Sequence, residues 1–329
     1  MTFTKKFLNN KDVVLCNFLR SSSCGHLFEC IEYYYLFKTE YIPALGRSLR
    51  PAIYLAYDNF TKDDFREIIE NKYNFSPIEV DSMLEDTFIE TINYFMGYKI
   101  HDFRNTTTTI VVEGYDLIQM TRFNMFTLAN NLIALRCAVA EKDYAEIVFN
   151  KCNFKVFQDY RVYGEDLQEK KTKNHIKKIF FNKLKLHKTR EYNTALMYVS
   201  TDCRELTPSY IKEVLSQYPS FKKIYVAVLD TSPYEHLTTD RIEFVVPPMK
   251  SFHSKFDTMI YLPVGRKFDC SSRLIPECIY LGKKIIYHDI DYKDLGLEVR
   301  KEDSKSIMDL QLNRDDTLFK EVAQQCIRK

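Results

Sequence analysis

The chain has 329 residues, 45% hydrophobic and 14% aromatic, with a formal net charge of +2. That size and apolar content support two cores rather than one, and the near-neutral charge excludes a grossly basic nucleic-acid coat while leaving room for a local basic face. No stretch approaches the roughly 18 apolar residues of a membrane span, the start MTFTKKFLNN lacks a signal peptide's apolar core, and nine cysteines without a Cys-x-x-Cys pair read as reduced thiols of a cytoplasmic protein rather than a zinc site.

VVLCNFL at 13–19 reads as a buried strand, SSSCGH at 21–26 as a small-residue loop and LFECIEYYYLFK at 27–38 as a helix. That succession is how a doubly wound domain begins. A loop at 41–50, a strand at 52–58 and a helix at 61–73 with acids in its first turn follow. Ser76-Pro77-Ile78-Glu79 has the form of a capping box with proline at the first helical position. The helical spacing of Val80, Met83, Leu84, Phe88 and Ile92 predicts that this helix runs to about Gly97. TTTTIVVEGYD at 106–116 is β-branched and predicts a strand ending at Glu113 or beyond. FTLANNLIALRCAVA at 126–140 reads as a buried helix and FKVFQDYRVY at 154–163 as a strand.

The segment 168–190 carries nine lysines and arginines against one acid and reads as an interdomain connection. Alternation then resumes. Strands are predicted at 194–200, 223–230, 241–246, 257–263 and 283–289. One helix begins at Thr207-Pro208, a second lies within 272–281 and is stopped by Gly282, and FKEVAQQCIRK closes the chain as a helix. The expected architecture is α/β: two Rossmann-like doubly wound domains facing a cleft. The expected boundaries are 1–167, a basic connection at 168–190, and 191–329 with its last helix crossing back.

In open parallel sheets ligands bind beyond the carboxyl ends of the strands, and residues 263–272 leave such an end. Arg266, Lys267 and Arg273 have the charge to neutralise a diphosphate, and Ser271 and Ser272 have hydroxyls for a phosphate. Glu277 stands four residues beyond Arg273, with Pro276 between them. A carboxylate there can accept ribose hydroxyls; the plain alternative is a solvated Arg273–Glu277 pair. Arg204, in the loop after the second half's first strand, is a further phosphate contact. His253 and Lys255, before its fourth strand, are weaker candidates for a uracil or a phosphate.

DCSSRLIPECIYLGKKIIY, residues 269–287, resembles the donor-binding segment of GT-B glycosyltransferases. The resemblance extends over residues 194–289. It implies a C-terminal domain that holds a UDP-sugar donor, with Glu277 on the ribose and Ser271, Ser272 and Arg273 near the phosphates. The second acidic residue that many retaining members carry in this helix is absent, which points to inversion. The N-terminal domain would then supply a general base, and His26, Asp58 and Glu113 stand as candidates at a first loop or at strand ends, with Glu29 and Asp116 nearby.

Abundant Lys, Asn, Ile, Tyr and Phe mark an AT-rich genome. Similarity in length and architecture to the phage enzymes that glycosylate hydroxymethylcytosine implies a bacteriophage DNA-modification enzyme. Its acceptor would be double-stranded DNA with the modified base flipped out, bound through Lys177, Lys178, Lys183 and Lys185. Other readings are transfer to a bacterial surface glycan and a non-catalytic DNA- or nucleotide-binding protein. The absence of Walker and Gly-x-Gly-x-x-Gly loops argues against kinases, NTPases and dinucleotide oxidoreductases. A monomer with no permanently bound cofactor and no protein-held metal is expected.

Overall fold

The apolar, β-branched runs assemble into two all-parallel sheets. The computed structural model describes residues 7–19, 25–57, 59–91, 106–112, 130–135, 153–159, 172–175, 180–199, 207–228, 230–246, 252–262, 274–288 and 317–328. The chain divides into unit 1, residues 1–183 with 310–329, and unit 2, residues 184–309.

The strands of unit 1 are β1 (Val13–Leu19), a short antiparallel pair β2 (Tyr41–Ile42) and β3 (Arg47–Ser48), β4 (Pro51–Tyr57), β5 (Thr87–Thr91), β6 (Thr108–Val111), β7 (Asn131–Leu135), β8 (Asn153–Asp159) and β9 (Thr172–His175). Seven of them form one sheet in the order β5-β4-β1-β6-β7-β8-β9. Every residue of β4 is buried, as expected where both faces of a parallel sheet are covered. Helix α1 (Gly25–Thr39) packs on β1 and β4. Helix α2 (Lys62–Lys72) is opened by a Thr61–Asp64 capping box, and α3 (Pro77–Glu85) by Ser76 and Glu79 with Pro77 at its first position.

Unit 2 has β10 (Thr194–Val199), helix α4 (Pro208–Ser216), β11 (Lys223–Ala227), β12 (Ile242–Val245), β13 (Thr258–Leu262), helix α5 (Leu274–Tyr280) and β14 (Lys284–Tyr287). Its sheet is parallel throughout, in the order β12-β11-β10-β13-β14. Alternation along β10 sends Ala195 and Met197 into one core with Ile211, Val214 and Leu215 of α4. Leu196 joins a second core with Phe256, Met259, Tyr261 and Cys278 of α5. Helices therefore cover both faces, which is a doubly wound unit. The last helix, α6 (Thr317–Ile327), belongs to unit 1. There Phe319 stacks on Phe37 with centroids 6.2 Å apart, and buried Gln325 accepts from Thr108 Oγ1 at 2.5 Å.

Three expectations are corrected. Residues 131–135 of the predicted 126–140 helix are the interior strand β7. Leu132, Ile133, Ala134 and Leu135 are all buried, and a short run buried all round has no periodicity to separate strand from helix. The helix begun at Pro77 ends at Glu85 rather than near Gly97, and β5 starts at Thr87. Phe88, which fits the helical spacing, instead lies opposite Tyr54 across the ladder with its ring stacked at 5.7 Å. The predicted loop 41–50 holds the β2–β3 pair around a 3-10 turn at Pro43–Leu45, closed by Gly46 at φ +65°. The basic segment 168–190 contains the boundary between the units, after Lys183, and also contributes β9, which pairs with β8 at the end of the sheet.

The amino ends of β1, β4 and β5 are stitched by ion pairs. Asp12 accepts from Arg47 at 2.6 Å and from Arg50 at 3.0 Å. Asp86 takes Lys11, Lys38 and the Tyr34 hydroxyl. Burial alone would raise both carboxyls, but these donors outweigh it. Asp86 is held below its ordinary range and Asp12 is brought from 3.8 to about 2. A carboxyl depressed in the folded state adds stability that is complete above its unfolded pKa and is lost as pH falls through the folded one. Asp12→Asn should cost about 1–2 kcal/mol at neutral pH, because both arginines are partly exposed. In urea melts the wild type should lose stability between pH 3.8 and about 2 more steeply than the variant.

Candidate functional site

Both sheets reverse their strand order once. In unit 1 the reversal falls between β1 and β6, and in unit 2 between β10 and β13. In open α/β sheets ligands bind at such a point, beyond the carboxyl ends of the two strands. The chain segments that leave these ends carry most of the candidate residues.

In unit 2, β10 ends at Val199, and Arg204 follows in the next segment. β13 ends at Leu262, and Arg266, Lys267, Ser271, Ser272 and Arg273 lie between it and α5. Those six residues are outside the described residues. In unit 1, Asp58 follows the last residue of β4 and Glu113 stands two beyond the last residue of β6; they too, with Lys177 and Lys178, are outside the described residues. Asp289-Ile290-Asp291, just past β14 and also outside them, was missed by sequence reasoning although an Asp-x-Asp pair is a readable metal-ligand pattern. Among the described residues no group of three or more His, Cys, Asp or Glu could hold a metal, and no helix is long and apolar enough to cross a membrane.

Glu277 lies in the first turn of α5. Pro276 is tolerated there because first-turn N–H groups have no intrahelical acceptor. The side chain is not the exposed half of a solvated pair: Glu277 is 2% exposed. Its Oε2 stands 3.0 Å from Nε2 of His253, which is itself buried. The alignment is poor enough that Nε2 has no hydrogen bond. His253 belongs to the 3-10 turn Phe252–Ser254 that precedes β13. It therefore reaches Glu277 from the amino-end side of the sheet.

Lys283 fixes that turn. Helix α5 ends in a Schellman closure, with Gly282 N–H on the Ile279 carbonyl and Lys283 N–H on the Cys278 carbonyl. Gly282 takes φ +69°, the left-handed conformation this closure requires. The chain thereby delivers the Lys283 ammonium inward. It donates to Thr189 Oγ1 at 2.7 Å, to the His253 carbonyl at 2.6 Å and to the Phe256 carbonyl, and lies 4.4 Å from the Phe256 ring centroid. Burial lowers its pKa, and the three acceptors compensate for lost hydration.

His26 lies in the first turn of α1, 21% exposed at its side chain, with Nδ1 3.8 Å from Oε2 of buried Glu29. Farther along the helix, buried Glu32 accepts from the Tyr73 hydroxyl at 3.2 Å. Asn17 of β1 accepts from the Tyr57 hydroxyl at 2.9 Å in the same interior. Lys183, expected on DNA, is instead engaged inside unit 1. It pairs with Glu79 at 3.0 Å and lies over the rings of Tyr35 and Phe75 at 5.2 and 5.5 Å. Lys185 lies in unit 2 and is exposed.

No protein-family model matches this chain, and no curated protein does. Among solved structures, HepE of Anabaena in complex with UDP and glucose superimposes with a TM-score of 0.56 at 10% identity, over 96% of this chain and 93% of HepE. MurG of Acinetobacter baumannii aligns over 96% of this chain and 95% of its own, at 8% identity and a TM-score of 0.36. Only the first likeness is close enough to define the fold. The fold is GT-B, built from two Rossmann-like units.

Lys283→Met should destabilise the protein by about 2–3 kcal/mol, since the buried His253 carbonyl loses its ammonium donor and the Phe256 carbonyl keeps only the Thr189 hydroxyl at 3.3 Å. Gly282→Ala should cost about 1 kcal/mol through its positive φ alone. Urea unfolding followed by circular dichroism measures both, and the order of the two costs is the test.

Proposed function

We propose that this chain is a nucleotide-sugar-dependent glycosyltransferase whose unit 2 binds the donor, a UDP-sugar. The observation that carries the reading is the GT-B fold shared with HepE, a protein that holds UDP and glucose. Within unit 2 the nucleotide would lie beyond the carboxyl ends of β10 and β13. Arg204, Arg266, Lys267 and Arg273 would neutralise the diphosphate, Ser271 and Ser272 would hydrogen-bond it, and Glu277 would accept from the ribose.

Unit 1 would supply the base. His26 is favoured over Asp58 and Glu113, because Glu29 stands behind its Nδ1. A carboxylate there orients the ring and stabilises the imidazolium formed when Nε2 takes the acceptor's proton. The acceptor oxygen forms its bond to the sugar's anomeric carbon as the bond to the diphosphate oxygen breaks. UDP leaves with the electron pair, and a single displacement of this kind inverts the anomeric centre.

For the acceptor we retain the hydroxymethyl group of a modified cytosine in phage DNA. Its support is the charge of segment 168–190, less Lys183, whose ammonium is already paired.

Incubation with a panel of UDP-sugars, with and without hydroxymethylated DNA and with and without a chelator, tests the reading by mass spectrometry. Sugar transfer or UDP release is expected without added metal. Transfer only to a glycan acceptor would remove the DNA assignment and leave the enzyme class standing. His26→Ala should lower kcat about 10²- to 10⁴-fold with little change in donor affinity. A wild-type rate in that variant would pass the role to Asp58 or Glu113.

A further inference from the structure

We infer that the amino-end rim of the unit 2 sheet is a docking face for the sugar-phosphate backbone of a DNA duplex. The inference goes beyond the acceptor reading. It concerns phosphates whatever the base, at the end of this sheet opposite the carboxyl ends of its strands.

The rim is assembled from the stretches that enter β10, β11, β13 and β14, and backbone bonds hold them side by side. Lys222 N–H donates to the Asn193 carbonyl at 2.8 Å, and Arg190 N–H to the Ser254 carbonyl at 2.8 Å. Asp257 ties in the rest: its carboxylate accepts from Asn193 N–H at 2.7 Å and its carbonyl from Lys284 N–H at 3.1 Å. Neighbouring strands lie about 4.8 Å apart, so the steps from β11 through β10 and β13 to β14 carry the rim across about 14 Å. That is the rise of about four base pairs of duplex DNA.

The charges of the rim are sorted. Arg190, Lys222 and Lys284 are exposed, as is Lys188 on the approach to β10, and none of these side chains has a partner among the described residues. The acids beside them are engaged within the unit. Glu191 accepts from the Tyr225 hydroxyl at 3.2 Å, Glu243 pairs with Lys223 at 3.0 Å, and Asp257 also takes the Thr258 hydroxyl at 2.9 Å. Asp240, at the entry to the outer strand β12, is the exposed carboxylate left without a side-chain partner among the described residues. The face therefore presents positive charge outward, on backbone that is already fixed.

The chemistry of the face selects its occupant. Docking on a bilayer needs apolar side chains that bury below the headgroups, and a protein interface needs an apolar centre. Among the described residues of unit 2 the exposed large apolar side chains are Tyr192, Tyr280 and Val246, and Val246 stands past the carboxyl end of β12. That leaves the rim two tyrosines with polar tips and no apolar centre. Tyr192, 72% exposed beside Arg190, carries a hydroxyl that can donate to a phosphate. A polar, positive surface of this kind has the character of a DNA interface.

The experiment follows a labelled unmodified duplex by fluorescence anisotropy across a series of salt concentrations, with the full chain. Each phosphate contact contributes about 0.9 to the slope of log affinity against log salt. Arg190→Gln, Lys222→Gln and Lys284→Gln combined should therefore lower the slope by about 2–3 and weaken binding at low salt by about 10- to 100-fold. A charge-matched variant outside the rim, Lys212→Gln, Lys320→Gln and Arg328→Gln combined, should keep the wild-type slope. All six positions are exposed, so both variants should keep the fold. Wild type without salt-dependent binding, an unchanged slope in the rim variant, or an equal fall in both variants overturns the inference. Loss of binding to phosphatidylglycerol vesicles with duplex binding unchanged gives the face to a lipid surface and overturns it as well. The loss should be the same for a hydroxymethylated duplex, and a loss confined to that duplex overturns the inference in favour of an acceptor contact. Sugar transfer is not read in this assay, so the result stands or falls apart from the proposed activity.

Discussion

A carboxylate and an ammonium are buried on one side of a parallel sheet in unit 2, and the local structure is arranged so that neither is stranded. Glu277 sits beside the His253 imidazole, and Lys283 is surrounded by oxygen acceptors from two other segments. Removing one partner of a buried charge is far more damaging than never having had the pair. The turn at 252–254, the glycine that ends α5 and the entry to β14 are thus bound to one another. The Schellman closure at Gly282 is the hinge of this arrangement, since it decides where the lysine points.

The two units share a strand order and differ in what they bury. In unit 1 the amino ends of β1, β4 and β5 are closed by Asp12 and Asp86 with their lysines and arginines. In unit 2 Lys283 and backbone carbonyls do this at the amino ends of β13 and β14, across the switch point from the strands that match β4 and β5. Both secure amino ends of strands, opposite the carboxyl ends. A rigid lower layer of this kind is what lets long connections at the other end vary without loss of the fold.

Much of the fold was legible because its signals were local. The Ser76–Glu79 box, Thr207-Pro208 and Gly282 mark helix ends through geometry that neighbouring residues alone determine. Periodicity failed where burial was complete or where a strand followed a helix at once. Leu132–Leu135 look alike from either period, and Phe88 continued a helical spacing by coincidence until the turn at Asp86 had ended the helix. The His253–Glu277 pair could not be read from sequence, because the two residues are brought together only by the crossover from β12 to β13 and the return through α5. The pairing of Lys183 was hidden for a related reason. Local charge density says nothing about Glu79, which lies more than a hundred residues earlier.

The distribution of buried polarity in unit 1 separates structural from functional demand. Ion pairs at the amino ends are complete, and they explain themselves as stability. Toward the other ends of β1 and β4 the interior holds Asn17, Tyr57 and the α1 acids Glu29 and Glu32. An apolar core would have been easier to fill with leucine, and acids in an interior raise rather than lower the cost of folding. Stability does not account for them. In the role proposed for His26, a negative partner that burial keeps from being screened would favour the protonated ring. Glu29, at 2% exposure and 3.8 Å from the ring, has that burial and that position, whereas Glu32 farther along the helix is tied to Tyr73 and serves to anchor α1.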